Sequence, residues 1–241
     1  PAVHKKSGRD ARAPRLRSAR PSSAAAMTTL PIIAIDGPAA SGKGTLARRI
    51  AQALGFAHLD TGSLYRVVGL AALRRGEDPA DPQAALRAVQ SLDLSLLEDP
   101  ALRTDETGAA ASKVAVIQAV RDALLDFQRN FAAHPPGGKG AVLDGRDIGT
   151  VICPTATVKL FVTATAEIRA RRRFVELQAE GSPRTEEAVL ADIRARDARD
   201  TGRSVAPLRQ APDAHLLDTS HLDIETAVAK ALEIVKAGLS H

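Results

Sequence analysis

The chain has almost no aromatic surface: tryptophan is absent, Tyr65 is the single tyrosine, and five phenylalanines complete the set. Proteins that hold single-stranded nucleic acid stack its bases on aromatic rings, so this composition argues against a nucleic-acid partner. Cys153 is the lone cysteine, which rules out an internal disulfide and suits a reducing cytosol, so a cytoplasmic location is expected. Beside Pro154 at a strand edge, it reads as a small core hydrophobe rather than a nucleophile. No apolar run is long enough to span a bilayer, and no membrane partner is expected. The six histidines (His4, His58, His134, His215, His221 and His241) fall into no metal-ligand spacing.

What is present is unevenly distributed. The formal charge of +5 comes from the first 26 residues, which hold Lys5, Lys6, Arg9, Arg12, Arg15, Arg17 and Arg20 against Asp10 alone; the rest of the chain is close to neutral. Pro, Ser and Ala fill most other positions of this tail, which cannot bury enough apolar surface to offset its ordering entropy. Residues 1–26 are therefore expected to be a disordered basic tail. The favoured reading is translated sequence upstream of a true start at Met27, the single methionine, ahead of a basic arm or an organelle presequence. The first strand begins within a few residues of Met27, and no amphipathic apolar stripe accompanies the arginines.

The most informative segment runs from the apolar stretch Ile32 to Asp36 into Gly37, Pro38, Ala39, Ala40, Ser41, Gly42, Lys43, Gly44 and Thr45. Glycines let backbone N–H groups approach phosphate oxygens, lysine adds a mobile positive charge, and the following helix directs its N-terminus at the anion. Gly44 stands where a hydroxyl residue commonly follows the lysine, so the hydroxyl arrives one residue later, at Thr45. The next helix should bury Leu46, Ile50, Ala53 and Leu54 and end at a Gly55 cap.

Apolar runs alternating with helical periodicity predict a parallel sheet wrapped by helices. Five strands are expected, at Ile32–Asp36, Ala57–Leu59, Ala141–Asp144, Thr157–Val162 and Ala214–Leu217. About eighty residues separate the second and third, far more than a crossover needs, and should form a separate lobe with a helix near Leu64–Arg75 and a longer one near Ser112–Phe131. The face of the longer helix should be Ile117, Val120, Leu124, Phe127 and Phe131. A helical hairpin broken at Gly181–Pro183 follows the fourth strand. The last helix starts near Asp223 and should bury Ile224, Ala227, Val228, Ala231, Leu232 and Val235.

Ligands of open α/β sheets collect beyond the carboxyl ends of the strands. The clusters Asp60 to Arg66 and Asp144 to Asp147 follow strands two and three directly, so both should face the phosphate loop. The hairpin adds the run Arg171 to Arg173 and the cluster Arg196 to Arg203. Arg169 and Arg171 read equally well as a solvated helix face. So many guanidinium groups around one triphosphate cradle point to a second phosphate-bearing substrate. An acceptor that is already an anion needs no general base, only charge compensation and alignment.

Together with the loop, the sets Asp60-Thr61-Gly62-Ser63-Leu64-Tyr65-Arg66, Leu143 to Thr150, Arg196-Asp197-Ala198-Arg199-Asp200 and Arg203 to Leu208 resemble the nucleoside monophosphate kinases, specifically the bacterial cytidylate kinases, over almost everything from Ile32 onward. The resemblance implies an α/β fold: a P-loop, doubly wound, five-stranded parallel sheet with an inserted monophosphate-binding lobe (about 62–135) and a helical lid (about 167–203) inside a kinase domain spanning 27–241. It implies phosphoryl transfer from ATP, with Mg²⁺, to CMP and dCMP by a monomer. Arg66, Arg146 and Arg203 would hold the acceptor phosphate, with Thr61 and Tyr65 shaping that pocket. Ser112, Arg121 and Asp147 would read the cytosine, and Arg196 and Asp200 would contact the sugar. Lys43 and the loop from Gly37 to Thr45 would hold ATP, Thr45 and Asp144 would lie near the metal directly or through water, and Arg172 would be the lid arginine that reaches the migrating group. The segment Leu92–Arg103, broken by Pro100, is too short for the small antiparallel sheet of many relatives. The rival readings are a kinase for UMP or another small phosphorylated acceptor, a noncatalytic nucleotide-binding module, and a basic RNA-binding protein.

Overall fold

The structure is a computed structural model that describes residues 30–240, so the expectation for the basic tail lies outside the described residues. Five strands, β1 (Ile32–Asp36), β2 (Ala57–Asp60), β3 (Ala141–Gly145), β4 (Val158–Thr163) and β5 (His215–Asp218), form one sheet in the order β2-β3-β1-β4-β5. Every neighbouring pair is parallel, and β1 lies between β3 and β4. The five strands fall within a residue or so of the expected positions.

Alternation along β1 divides the core. Ile33 and Ile35 join Val142, Leu160 and Val162 against α1 (Lys43–Leu54) and α8 (Ile224–Leu239), whereas Ala34 joins Leu143, Ile148 and Ile152 on the opposite face. Burying a side chain such as Val228 or Val235 of α8 is worth about 1.5–3 kcal/mol, which is what seats this helix on the sheet. Ile224 is exposed, because it occupies the first turn before the helix reaches the sheet. In α1 the buried stripe is Leu46, Ala47, Ile50 and Ala51, so Ala53 points outward, contrary to expectation; Gly55 does cap the helix, at φ 66°.

The insert between β2 and β3 is helical throughout: α2 (Thr61–Arg74), α3 (Pro82–Gln90), two 3₁₀ turns (Leu94–Glu98 and Pro100–Arg103), α4 (Asp105–Val114) and α5 (Gln118–Ala133). Leu64, Val68, Val89, Val114, Val120 and Leu124 give it an apolar cluster of its own. Helix α3 is an addition to the two helices expected in this insert; Asp81 caps it and Pro82 occupies its first turn. The long helix expected over Ser112–Phe131 is two helices. Ile117 adopts an extended conformation (φ −84°, ψ 115°) as the N-cap of α5, ending α4 after Val114. Restarting at Gln118 turns Val120, Leu124 and Gln128 inward and leaves Phe127 exposed; the Gln128 amide donates to the Leu124 carbonyl at 2.9 Å. The segment Leu92–Arg103 carries the two 3₁₀ turns and no strand.

The hairpin α6 (Ala166–Ala179) and α7 (Glu186–Gly202) closes on Ala170, Leu177, Val189 and Ile193, with Gly181 at φ 76° in its tip.

Candidate active site

The phosphate loop leaves β1 through a close approach: a Cβ on Gly37 would sit 2.0 Å from the Val162 carbonyl oxygen, so no larger residue fits without moving β4. Gly42, at φ 86°, is the N-cap that aims the first turn of α1 into the loop. Lys43 begins the helix and donates to the Pro38 carbonyl at 3.3 Å. Burial, reinforced by Arg146 and Arg196, lowers its pKa to about 7, against the attraction of Asp144 and Asp60.

Asp36, at the end of β1, accepts N–H groups from Ile148 (2.7 Å) and Gly149 (2.8 Å), pinning a single π-turn (Ile148–Ile152) behind the loop. Burial raises its pKa to about 6, with the two amides opposing.

A cavity of about 220 Å³ opens between Lys43 and the helical insert. It is lined by Thr61, Tyr65, Arg66, Ser112, Arg121, Asp144, Arg146, Asp147, Arg196, Asp200 and Arg203, so the structure brings every expected acceptor residue to one place. Each is held from a different direction. Arg66 of α2 donates to the carbonyls of Leu102 (2.8 Å) and Thr104 (3.2 Å), and Thr61 donates to the Asp144 carbonyl at 2.8 Å. Arg146 is fixed by Asp200 of α7 at 2.7 Å. Burial pushes the Asp200 carboxyl up, but Arg146, Arg196 and Arg203 outweigh it and hold the group below the ordinary carboxylate range.

Two buried guanidinium atoms, Arg196 Nε and Arg203 Nη2, have no hydrogen-bond partner. Unsatisfied buried donors are costly, and their meeting in one cavity marks it as built for an anion. Deeper in, Arg121 and Asp147 form a buried ion pair, and the Arg121 guanidinium lies 5.9 Å from the Tyr65 ring centre. Burial raises the pKa of Asp147, against the pull of Arg121 and Arg203.

A second cleft, of about 520 Å³, lies on the other side of the loop between Ser41–Leu46 and Thr219–Ile224. Arg172 is found here and not in the acceptor cavity, donating to Thr219 Oγ1 (3.0 Å) and the Thr219 carbonyl (2.6 Å); Thr219 in turn donates to the Ser41 carbonyl at 3.2 Å. The hairpin is also tied to the loop by Arg169, which is buried, donates to the Ala39 carbonyl at 3.1 Å and pairs with Asp197. Arg171 is exposed and pairs with Glu186 on its own hairpin, so the two residues that read alike in sequence separate.

His58 joins the site although no motif in the sequence marks it: its Nε2 lies 2.8 Å from Asp144 Oδ1. Its signal was only its place on β2, two residues before Asp60 and next to β3. The remaining Asp144 oxygen, Oδ2, would be 3.7 Å from a Cβ on Gly44, so it faces the start of α1. Thr45 Oγ1 accepts from Arg48 at 3.4 Å. Among the described residues no group of three or more metal-ligating side chains converges. Cys153 is buried, and its thiol is pushed up to about 11 by that burial, which suits an inert core residue. No described helix is long and apolar enough to cross a membrane.

Residues 33–237 match the family model described as cytidylate kinase. The chain is 60% identical over 205 residues to a cytidylate kinase of Rhodospirillum rubrum, covering 85% of this chain and 96% of that one. It is 63% identical over 204 residues to a cytidylate kinase of Paramagnetospirillum magneticum, covering 85% and 97%. Among solved structures, an uncharacterised protein from Eubacterium ventriosum shares the fold at a TM-score of 0.50 and 16% identity, covering 88% of this chain and 99% of that one.

Proposed function

Because the chain belongs to the cytidylate kinase family, we propose that it transfers a phosphoryl group from ATP to CMP with the residues of the acceptor cavity in the roles that follow. Arg66, Arg146 and Arg203 hold the CMP phosphate, Arg196 and Asp200 engage the sugar, and Arg121, Asp147 and Ser112 face the base. The helices α2–α5 serve as the acceptor lobe and α6–α7 as a lid over both substrates, in a monomer working in the cytoplasm. dCMP is a second acceptor. The observation that carries this reading is the convergence of Lys43 with five arginines in one cavity, two of them, Arg196 and Arg203, with a buried guanidinium nitrogen that has no hydrogen-bond partner.

Donor and acceptor are both anions, so the barrier is set by charge and alignment, not by proton removal. Lys43 and the loop amides grip the donor phosphates, and the guanidinium groups neutralise the acceptor phosphate and the charge that develops on the group in flight. Arg172 reaches the donor from the outer cleft while remaining anchored through Thr219 to the loop. Asp147 supplies base selection: a carboxylate pairs with the amino donor at position 4 of cytosine and repels the carbonyl that uracil presents there. That chemistry favours CMP over the UMP alternative.

The residues fit a magnesium ion in the manner usual for nucleotide sites, where phosphates and water supply most of its shell: Asp144 Oδ2 is directed at the start of α1, next to Thr45, and no competing cage is formed by the described residues. Bound there, Mg²⁺ would supply Lewis-acid charge to the donor phosphates. ADP release from ATP against CMP, dCMP, UMP, AMP and GMP tests the assignment. CMP and dCMP should turn over fastest, and preference for any other nucleotide would defeat it.

A further inference from the structure

The cluster Arg196 to Asp200 serves the acceptor cavity through its first and last residues, which leaves Arg199 with no part in the account above. Its Nε–H donates to Ser112 Oγ at 3.3 Å. The two residues come from different parts of the molecule: Ser112 lies in α4 of the insert, and Arg199 lies in α7 of the hairpin. Ser112 is buried and lines the acceptor cavity, whereas Arg199 lines the neighbouring cleft of about 450 Å³ between α4 and the hairpin. The guanidinium therefore approaches the serine from behind.

A serine hydroxyl has one hydrogen and two lone pairs, and the hydrogen turns to suit its surroundings. A guanidinium carries donors only, so Arg199 takes a lone pair and turns the serine hydrogen away from itself. Helical serines often spend that hydrogen on a carbonyl of the preceding turn, but among the described residues Ser112 makes no such bond. The hydroxyl is left as a donor for the cavity. Ring atom N3 of cytosine is an acceptor, whereas N3 of uracil carries a hydrogen. A hydroxyl of fixed polarity can therefore tell the two apart, and a freely rotating one cannot.

We infer that Arg199 is a specificity-determining positioning residue, which fixes Ser112 as a hydrogen-bond donor toward N3 of the base and so adds to the preference for cytosine over uracil. The inference rests on the proposed reading that Ser112 faces the base. It also ties base selection to the hairpin. Two turns before Ser112, Asp105 in the first turn of α4 accepts from Arg173 (2.8 Å) and from Arg184 (3.2 Å), both on the hairpin side of the cleft. Arg199 reaches Ser112 while the hairpin lies against α4, so the site reads the base fully in the closed arrangement.

The test compares the unaltered protein with Ser112→Ala, Arg199→Met and the double variant, measuring kcat/KM for CMP and for UMP. The ratio of the two is insensitive to the fraction of protein folded, so partial loss of stability does not obscure it. Arg199→Met should lower the CMP:UMP ratio by about tenfold, as expected for one neutral hydrogen bond of fixed sense, and the double variant should fall no further than Ser112→Ala alone. An unchanged ratio in Arg199→Met with a lowered one in Ser112→Ala would overturn the inference and leave the base-facing role of Ser112 standing. Additive losses would overturn it as well, because Arg199 would then act by another route. An unchanged ratio in Ser112→Ala would remove the base-facing role and the inference together.

Discussion

Lys43 offers the sharpest test of the electrostatic account. In the free protein its pKa is lowered to about 7 by burial, with Arg146 and Arg196 adding repulsion. At pH 8, a group of that pKa is protonated in about a tenth of molecules. A polyphosphate seated in the loop places negative charge against the amine and holds it as ammonium, so ATP binding should take up about 0.9 proton at pH 8 and about 0.5 at pH 7. A phosphate loses its last proton near pH 6, so at pH 8 the nucleotide has almost none of its own to give. The sign follows: ATP affinity should fall as pH rises above 7, approaching about one logarithmic unit per pH unit.

Titration calorimetry in two buffers of different ionisation enthalpy reads the proton count directly. Lys43→Arg, which stays charged throughout, should bind ATP with almost no uptake. Uptake below about 0.2 proton at pH 8 in the unaltered protein would refute the reasoning, because it would mean that Lys43 is already an ammonium before the nucleotide arrives.

Three further outcomes are expected. Asp147→Asn should lower the CMP:UMP ratio of kcat/KM by about 10² or more in the nucleotide panel, since a carboxylate that must face a carbonyl loses its discrimination once it becomes an amide. An unchanged preference would remove Asp147 from base selection. Arg172→Ala should cut turnover by about 10² to 10³ in a coupled ADP-release assay while leaving the thermal midpoint nearly unchanged; near-normal turnover would refute its role. For Asp36, the folded pKa of about 6 lies above the ordinary aspartate value of 3.8, so the folded state binds the extra proton and stability should fall as pH rises through that window, by about 3 kcal/mol in total from this group. Urea unfolding from pH 4 to 7 should show that slope in the unaltered protein and lose it in Asp36→Asn. Parallel curves would show that Asp36 does not titrate there.

Which parts were legible in the sequence follows from where the determining forces lie. The strands, the phosphate loop and the hairpin are governed by local pattern, and the Gly55 and Asp223 caps were visible as residue types in the right place. The break at Ile117 was not, because helical periodicity runs on across it and only packing of α5 against the insert sets the new phase. Phe127 and Gln128 exchanged places for the same reason. The acceptor residues could be named because they sit directly after strands or in the arginine-rich hairpin. By contrast, His58 and Asp36 act through partners 86 and 112 positions away, Asp144 and Ile148, which no local spacing reveals. Arg169 and Arg171 are two residues apart in the same helix, and only the neighbours of α6 separate the buried one from the exposed one.

Within four residues, helix α7 directs three side chains to three separate destinations: Asp197 to Arg169, Arg199 to Ser112 and Asp200 to Arg146. Each added residue turns a helix by about 100°, so a single insertion between Glu186 and Asp197 would swing all three away at once. The hairpin tip around Gly181 carries none of these three links; its tie to α4 is the partly exposed pair Arg184–Asp105, which lies outside the helix and has no such phase to keep. Length changes should therefore be tolerated at the tip and rejected in the helix.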